Sequence, residues 1–390
     1  MLKKSIQPIT NAKWYKAFLR RRVFLLLLAP VAFFFLWLAK INPDFAEFMY
    51  ARKIYKVISL AVSFLSEKIP FSLMEIEVIL LPILLILGLL YFLHQLVTRK
   101  KKGKSAGYIM TLSLVNVLCI ASALFFVYVF TAGINYHRYS FAEISGYDLQ
   151  KSSAKDLYNM TLDLSERAAK ARTLIEQEGG EFTKDGSVSI DKSNWEDLVK
   201  AAVYAYAKTG EEYPELKGDY ESVKAVTASK VMSAMEITGI FWPFTMEANV
   251  NTDAVDYTIP ATMCHEMAHL RGFMREDEAN FIAYLVCSNS DNPVLQYSGL
   301  MLALTYAGNQ LYSESPEYYE KVRATYTTEM AADIREEYYY WVQFEDTVIS
   351  TASDTVNDSY LKANSQSDGV KSYGRMVDLL LAEYKTNHKN

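Results

Sequence analysis

The chain has 390 residues, 51% of them hydrophobic, and a formal net charge of −5, which is too long for one ordinary domain and near the apolar limit of a soluble one. The average hides two unlike parts: residues 1–134 hold 17 Lys+Arg against 5 Asp+Glu, whereas residues 135–390 hold 23 against 40. So acidic a second part argues against nucleic-acid binding, and three cysteines exclude a disulfide framework.

Seven basic residues, from Lys3 to Arg22, precede a charge-free run at 23–39. At about 1.5 Å per residue this run crosses most of a bilayer core. No small-x-small cleavage site follows it, so it reads as an uncleaved anchor. Two further runs, about 79–97 and 109–131, flank a basic loop at 99–104. Placing both basic clusters in the cytoplasm makes three spans and leaves residues from 135 onward outside the membrane. Residues 57–65 are apolar but too short to span; they read as an amphipathic segment on the outer surface, ended by Pro70. Glu75 and Glu77 read as solvated at the interface, and residues 135–139, including His137, as an interfacial exit from the membrane. The expected units are a membrane region, 1–134, and an extracytoplasmic domain, 135–390.

Helical spacing of apolar residues predicts a helix over 149–176, then a Gly179-Gly180 break and a hairpin-like stretch to Lys192. Helices are also predicted at 194–208 and 220–235. From 239 to 257 the texture turns aromatic and extended, and Pro243 marks an edge strand. Its residues Phe244, Glu247, Ala248 and Asn249 are candidates to pair with an extended peptide through unpaired backbone groups. Pro260 opens the next helix, and six more are predicted at about 276–288, 294–311, 316–325, 328–350, 352–363 and 370–384. The fold class expected is predominantly α and membrane-anchored, with an α-rich α+β domain whose small sheet precedes the 260s helix.

That helix carries Cys264-His265-Glu266-Met267-Ala268-His269. Residues four apart share a helical face, so His265 and His269 can grip one metal ion, with Glu266 beside it as general base toward a bound water. Cys264 and Cys287 read as buried thiols. A catalytic zinc usually takes three protein ligands, and the other histidines, His94, His137 and His388, lie in or near the membrane or in the tail. A carboxylate is therefore expected third. Glu276 lies too far along a continuous helix, about 10 Å beyond His269. A left-handed cap at Gly272 would allow a second helix to pack back. Glu276 is then the leading ligand and Glu278 the alternative. Asn280, on the face of Glu276, is placed to hydrogen-bond a ligand from behind.

His265-Glu266-x-x-His269 followed by Glu276-x-x-Ala279-Asn280 resembles the gluzincin pattern of zinc metallopeptidases, although the gap between motif and glutamate is much shorter here. Over nearly the whole chain the arrangement is similar to an uncharacterised bacterial membrane family, domain of unknown function 3810. The matching features are the spans, Pro70-Phe71-Ser72, Asn135-Tyr136-x-Arg138, Pro243-Phe244-x-x-Glu247-Ala248-Asn249, the metal motif and Gly369–Arg375. The resemblances imply a bacterial envelope protein and a zincin-like peptidase. The expectation is thus a zinc enzyme cutting peptide or protein substrates outside the cytoplasmic membrane. Tyr373 and Arg375 are candidates to stabilise the oxyanion. The competing reading is a membrane sensor or scaffold that uses the same domain without proteolysis.

Overall fold

A computed structural model describes residue 22, residues 24–364 and residues 373–388. Three of its segments are long and apolar enough to cross a membrane: Phe24–Ile41, which contains α1 (Leu28–Ile41), α3 (Leu73–Thr98) and α4 (Ala106–Thr131). They coincide with the three predicted runs. Ser72 and Ser105 start α3 and α4 by accepting the backbone N–H three residues on, from Glu75 and Tyr108. α1 packs on α4 through small residues and rings, with Ala32 and Val129 buried and Phe35 set edge-on to Phe130. α3 leaves almost all of its apolar side chains exposed.

Between α1 and α3 the chain buries one face on protein and leaves apolar side chains such as Val57, Phe64 and Leu65 exposed on the other. A π-helical stretch, Phe45–Tyr55, runs on into α2 (Lys56–Glu67), and one face of the pair is buried from Glu47 to Ser66. The Ser59 and Tyr220 hydroxyls share a hydrogen bond of 2.6 Å, and the Lys224 ammonium donates to the carbonyls of Ser66 and Ile69 beyond the end of α2. The segment expected to be amphipathic thus packs its serine face on protein and keeps its apolar face exposed. Its small serines permit that, because they let two backbones approach while their hydroxyls stay bonded.

After α4 the chain forms α5 (Phe141–Ser145), α6 (Ala154–Gln177), the hairpin β1 (Glu181–Phe182) and β2 (Val188–Ser189), and α7 (Trp195–Glu212). Next come β3 (Val223–Val226), α8 (Ser229–Ala234), β4 (Gly239–Trp242) and β5 (Glu247–Asn251). The helices that follow are α9 (Ile259–Leu270), α10 (Glu276–Ser288), α11 (Pro293–Glu314), α12 (Pro316–Arg323), α13 (Thr328–Val342), α14 (Val348–Ala363) and α15 (Tyr373–Asn387). One hydrophobic cluster joins Tyr50, Tyr55 and Ile134 to Met263, Leu270 and Phe281.

The second sheet corrects two readings. Residues 220–235 hold β3 as well as a helix, and the strand order is β3-β5-β4, with β3 parallel and β4 antiparallel to β5. β5 is thus central and wholly buried, not an edge. Phe244 lies in the turn between β4 and β5, which Pro243 helps to form, Glu247 pairs with Trp242 of β4, and Ala248 and Asn249 are paired on both sides. The edge beside α9 is β4.

Glu247 and Asn249 have other work. The Glu247 carboxylate accepts from the N–H groups of Leu73 and Met74, at 3.2 and 3.1 Å, where the positive end of α3 favours an anion. Ser72 donates to Asn249 at 2.6 Å. Glu75 accepts from the N–H groups of Thr227 and Ala228, and Trp242 donates to Glu77. Glu75 and Glu77 clasp helix to sheet, and Glu77 stays exposed, as expected. The predicted exit segment is likewise internal: Asn135 and Tyr136 are buried, and the Arg138 guanidinium makes a two-pronged bond to the buried Glu47 at 2.8 and 3.0 Å.

Burial pushes the Glu47 carboxyl up, but Arg138 and Arg52 outweigh it and hold the group below the ordinary carboxylate value. Its stabilising contribution is therefore full above that ordinary range and is lost as pH falls through the lowered one. Arg138→Ala would leave Glu47 buried without its main partner, at a cost of about 3–5 kcal/mol. A circular-dichroism melt of this variant should show a clearly lowered midpoint; an unchanged midpoint would contradict the pairing.

Candidate metal centre

The site begins with how α9 ends. Gly272 adopts φ +84°, and the N–H of Phe273 reaches back to the Ala268 carbonyl, so the helix closes in a left-handed cap. A Cβ at Gly272 would lie 3.0 Å from the Tyr55 ring and 3.1 Å from the Asn135 amide, which adds a packing reason for glycine there. Four residues later α10 starts at Glu276 and runs back along α9.

This reversal brings His265, His269 and Glu276 together, with one ligand atom from each lying within 4.8 Å of the others. The two Nε2 atoms are 3.1 Å apart; Glu276 Oε2 is 3.2 Å from His265 Nε2, and Oε1 is 3.7 Å from His269 Nε2. Ligand atoms at the corners of a tetrahedron with metal bonds of about 2.0–2.1 Å stand about 3.3 Å apart, so the spacing fits one zinc-sized ion.

Both rings are oriented from behind. His265 Nδ1–H donates to Asn280 Oδ1 at 2.8 Å, and Asn280 in turn donates to the Tyr306 hydroxyl at 3.1 Å. His269 Nδ1–H donates to the Phe273 carbonyl at 2.7 Å. With the protons on Nδ1, each Nε2 lone pair faces the centre, as metal binding requires. Asn280 occupies its expected place. The Phe273 carbonyl was not legible, because a backbone acceptor leaves no residue-type signal.

Glu266 is 4% exposed, and its Oε2 has no hydrogen-bond partner among the described residues. Its carboxylate lies against β4, where it takes the Phe241 N–H. Gly239 makes that approach possible: a Cβ there would sit 2.5 Å from Glu266 Oε1 and 2.8 Å from Thr262 Cγ2. A lone glycine in an extended stretch was the available signal for close approach.

Without a metal the cluster holds its protons unevenly. Burial disfavours a charged His265, but the hydrogen bond and charge of Glu276 overcome this and lift it to about 9. Burial and the neighbouring His265 push His269 down to about 4. Burial works against ionised Glu276, yet the two histidines hold it near 2. Burial lifts Glu266 to about 8, with the Glu276 charge adding to it and His265 and the Phe241 N–H opposing.

The remaining candidates are elsewhere. Glu278 is buried in an ion pair with Arg275 at 2.7 Å and takes the Phe141 N–H, so it is committed away from the histidines. Arg375 pairs with Asp277 at 2.8 Å. Tyr373 opens α15, and its side chain lies outside the described residues. Cys264 and Cys287 are free, buried thiols, as expected.

If Asn280 fixes the His265 ring, Asn280→Ala should weaken zinc binding about 10–100-fold while the protein stays folded. Competition against a chromogenic chelator measures this, and wild-type affinity in the variant would remove Asn280 from the site.

A family model described as Protein of unknown function (DUF3810) matches residues 50–381. No curated protein and no solved structure matches the chain.

Proposed function

The chain belongs to the family described as Protein of unknown function (DUF3810), and from the site itself we propose that it is a membrane-anchored zinc metallopeptidase of gluzincin type. The observation that carries this reading is the convergence of His265, His269 and Glu276 beside a buried carboxylate, Glu266, with a free oxygen. A purely structural site would close its coordination with a fourth protein ligand; three ligands and an adjacent base suit hydrolysis.

Zinc bound here would supply a Lewis acid and a water acidified toward neutrality. The chain supplies the rest. Asn280 and Phe273 keep both imidazoles in the ligating tautomer, and Glu276 brings the negative charge. Glu266 accepts a proton from the attacking water at its unpartnered Oε2 and returns it to the leaving amine. β4 is the edge strand beside the site, and apart from the Phe241 N–H, which Glu266 takes, its outward backbone groups are where an extended peptide can lie, the role expected of Phe244, Glu247, Ala248 and Asn249 and transferred here to Gly239–Trp242.

The bilayer is the proposed cover for α3, whose apolar surface nothing among the described residues buries. The end of α1, the start of α3 and the segment after α4 all meet the metal-bearing domain, and the basic loop 99–104 lies at the other ends of α3 and α4. Basic loops favour the cytoplasm, so the domain and its substrates are placed on the extracytoplasmic side.

Glu266→Gln should keep stoichiometric zinc and lose about 100- to 10,000-fold of peptide hydrolysis. The readouts are metal analysis and turnover of a quenched fluorescent peptide library by the full chain. Zinc retained with no hydrolysis in the wild type would favour the sensor or scaffold instead.

A further inference from the structure

Behind the metal helix lies a partly open cavity of about 200 Å³. Its charged lining is Arg52, Lys56, Arg138, Lys217 and Arg271 against one carboxylate, Glu215. Arg52 and Lys56 come from the basic first part of the chain, and Arg138, Lys217 and Arg271 from residues 135–390, which carry only 23 Lys+Arg to 40 Asp+Glu.

Two of the five cations are neutralised. Arg52 bridges Glu47 and Glu215 at 2.7 Å each, and Arg138 is committed to Glu47. Lys56, Lys217 and Arg271 have no carboxylate partner among the described residues. Arg271 is the telling one, since it is 5% exposed. Its guanidinium lies between the Tyr206 and Tyr220 rings, 3.7 and 4.8 Å from their centroids. It donates to the carbonyls of Leu216, Met267 and Gly218, which leaves two of a guanidinium's five N–H donors. Asp219 is a neighbouring negative charge but makes no ion pair with this guanidinium, and a buried cation without a directly paired counter-charge is costly unless an anion completes it.

We propose that this cavity binds a small phosphate-bearing anion, held by Lys56, Lys217 and Arg271. Three uncompensated cations exceed what a single carboxylate neutralises. They suit phosphate, whose several oxygens accept charge-assisted bonds from both guanidinium and ammonium groups. The site is distinct from the metal centre: Arg271 follows His269 by two residues, about 200° round the helix. It still touches the same structural joint. Arg138 bonds the carbonyls of Arg271 and Gly272, and Tyr55 those of His269 and Leu270. An anion seated there braces the end of α9 from its far face, whether or not the metal centre is catalytic.

The test uses the full chain in detergent micelles. Inorganic phosphate and glycerol 3-phosphate are titrated against chloride at matched ionic strength, following the melting temperature and binding heat. A second arm reconstitutes the protein in phosphatidylcholine vesicles with or without phosphatidylglycerol. The variant is Lys56→Ala/Lys217→Ala, with Lys200→Ala, whose ammonium is exposed on α7, as control. Saturable stabilisation is expected, weakened about tenfold or more in the double variant and unchanged in the control. Saturation by the soluble phosphates identifies a free anion, and stabilisation by phosphatidylglycerol alone identifies a lipid headgroup. No saturable effect in either arm of the wild type, or an equal effect in wild type and double variant, would overturn the proposal.

Discussion

The reversal at Gly272 is the constraint on which the rest of the site depends. His269 and Glu276 are seven residues apart, and a continuous helix would hold them about 10 Å apart along its axis. One residue at φ +84° removes that separation and lays the carboxylate across both imidazoles. The same turn points the Phe273 carbonyl back at His269, so the break that delivers the third ligand also orients the second. Tyr55 and Asn135, from two segments far away in the chain, press on Gly272. The turn is therefore held by parts of the chain that adjoin the apolar helices.

Those contacts explain why the apolar helices and the domain with the candidate metal centre form one packed body. Glu247 and Asn249 hold the start of α3, Glu75 binds the loop after β3, and Arg138 closes on Glu47 behind α1. Glu247, Asn249, Glu47 and Arg138 are charged or amide groups buried with their partners, costly to break singly. Two of the segments on which the family resemblance was read, Pro70-Phe71-Ser72 and Glu247-Ala248-Asn249, turn out to meet there. In this fold they position the helix rather than touch substrate.

The local features were legible and the long-range ones were not. The apolar runs, the motif helix, the left-handed end at Gly272 and the return of Glu276 with Asn280 all follow from spacing and from glycine's backbone freedom. Reading β5 as an edge strand failed because Pro243 was taken to lie within a strand. It lies in the turn that separates β4 from β5, and only the pairing with β3 makes β5 central. β3 itself is four residues long and carries no alternation strong enough to oppose a helical reading. The burial of residues 45–66 was hidden for a similar reason: serines on one helical face look solvated until a partner such as Tyr220 is found. Arg138 and Glu47 lie 91 positions apart, and no local pattern links them.

The central claim is a mononuclear zinc held by two imidazoles and one carboxylate. Zinc-edge X-ray absorption of the purified full chain tests it most directly. The account predicts one zinc per chain, with two nitrogen scatterers of histidine type and oxygen neighbours at about 2.0–2.2 Å, and no sulfur. Loss of the histidine scattering in His265→Ala/His269→Ala should accompany loss of the metal. A chain that binds no zinc, or one whose zinc shows sulfur neighbours near about 2.3 Å, would contradict it.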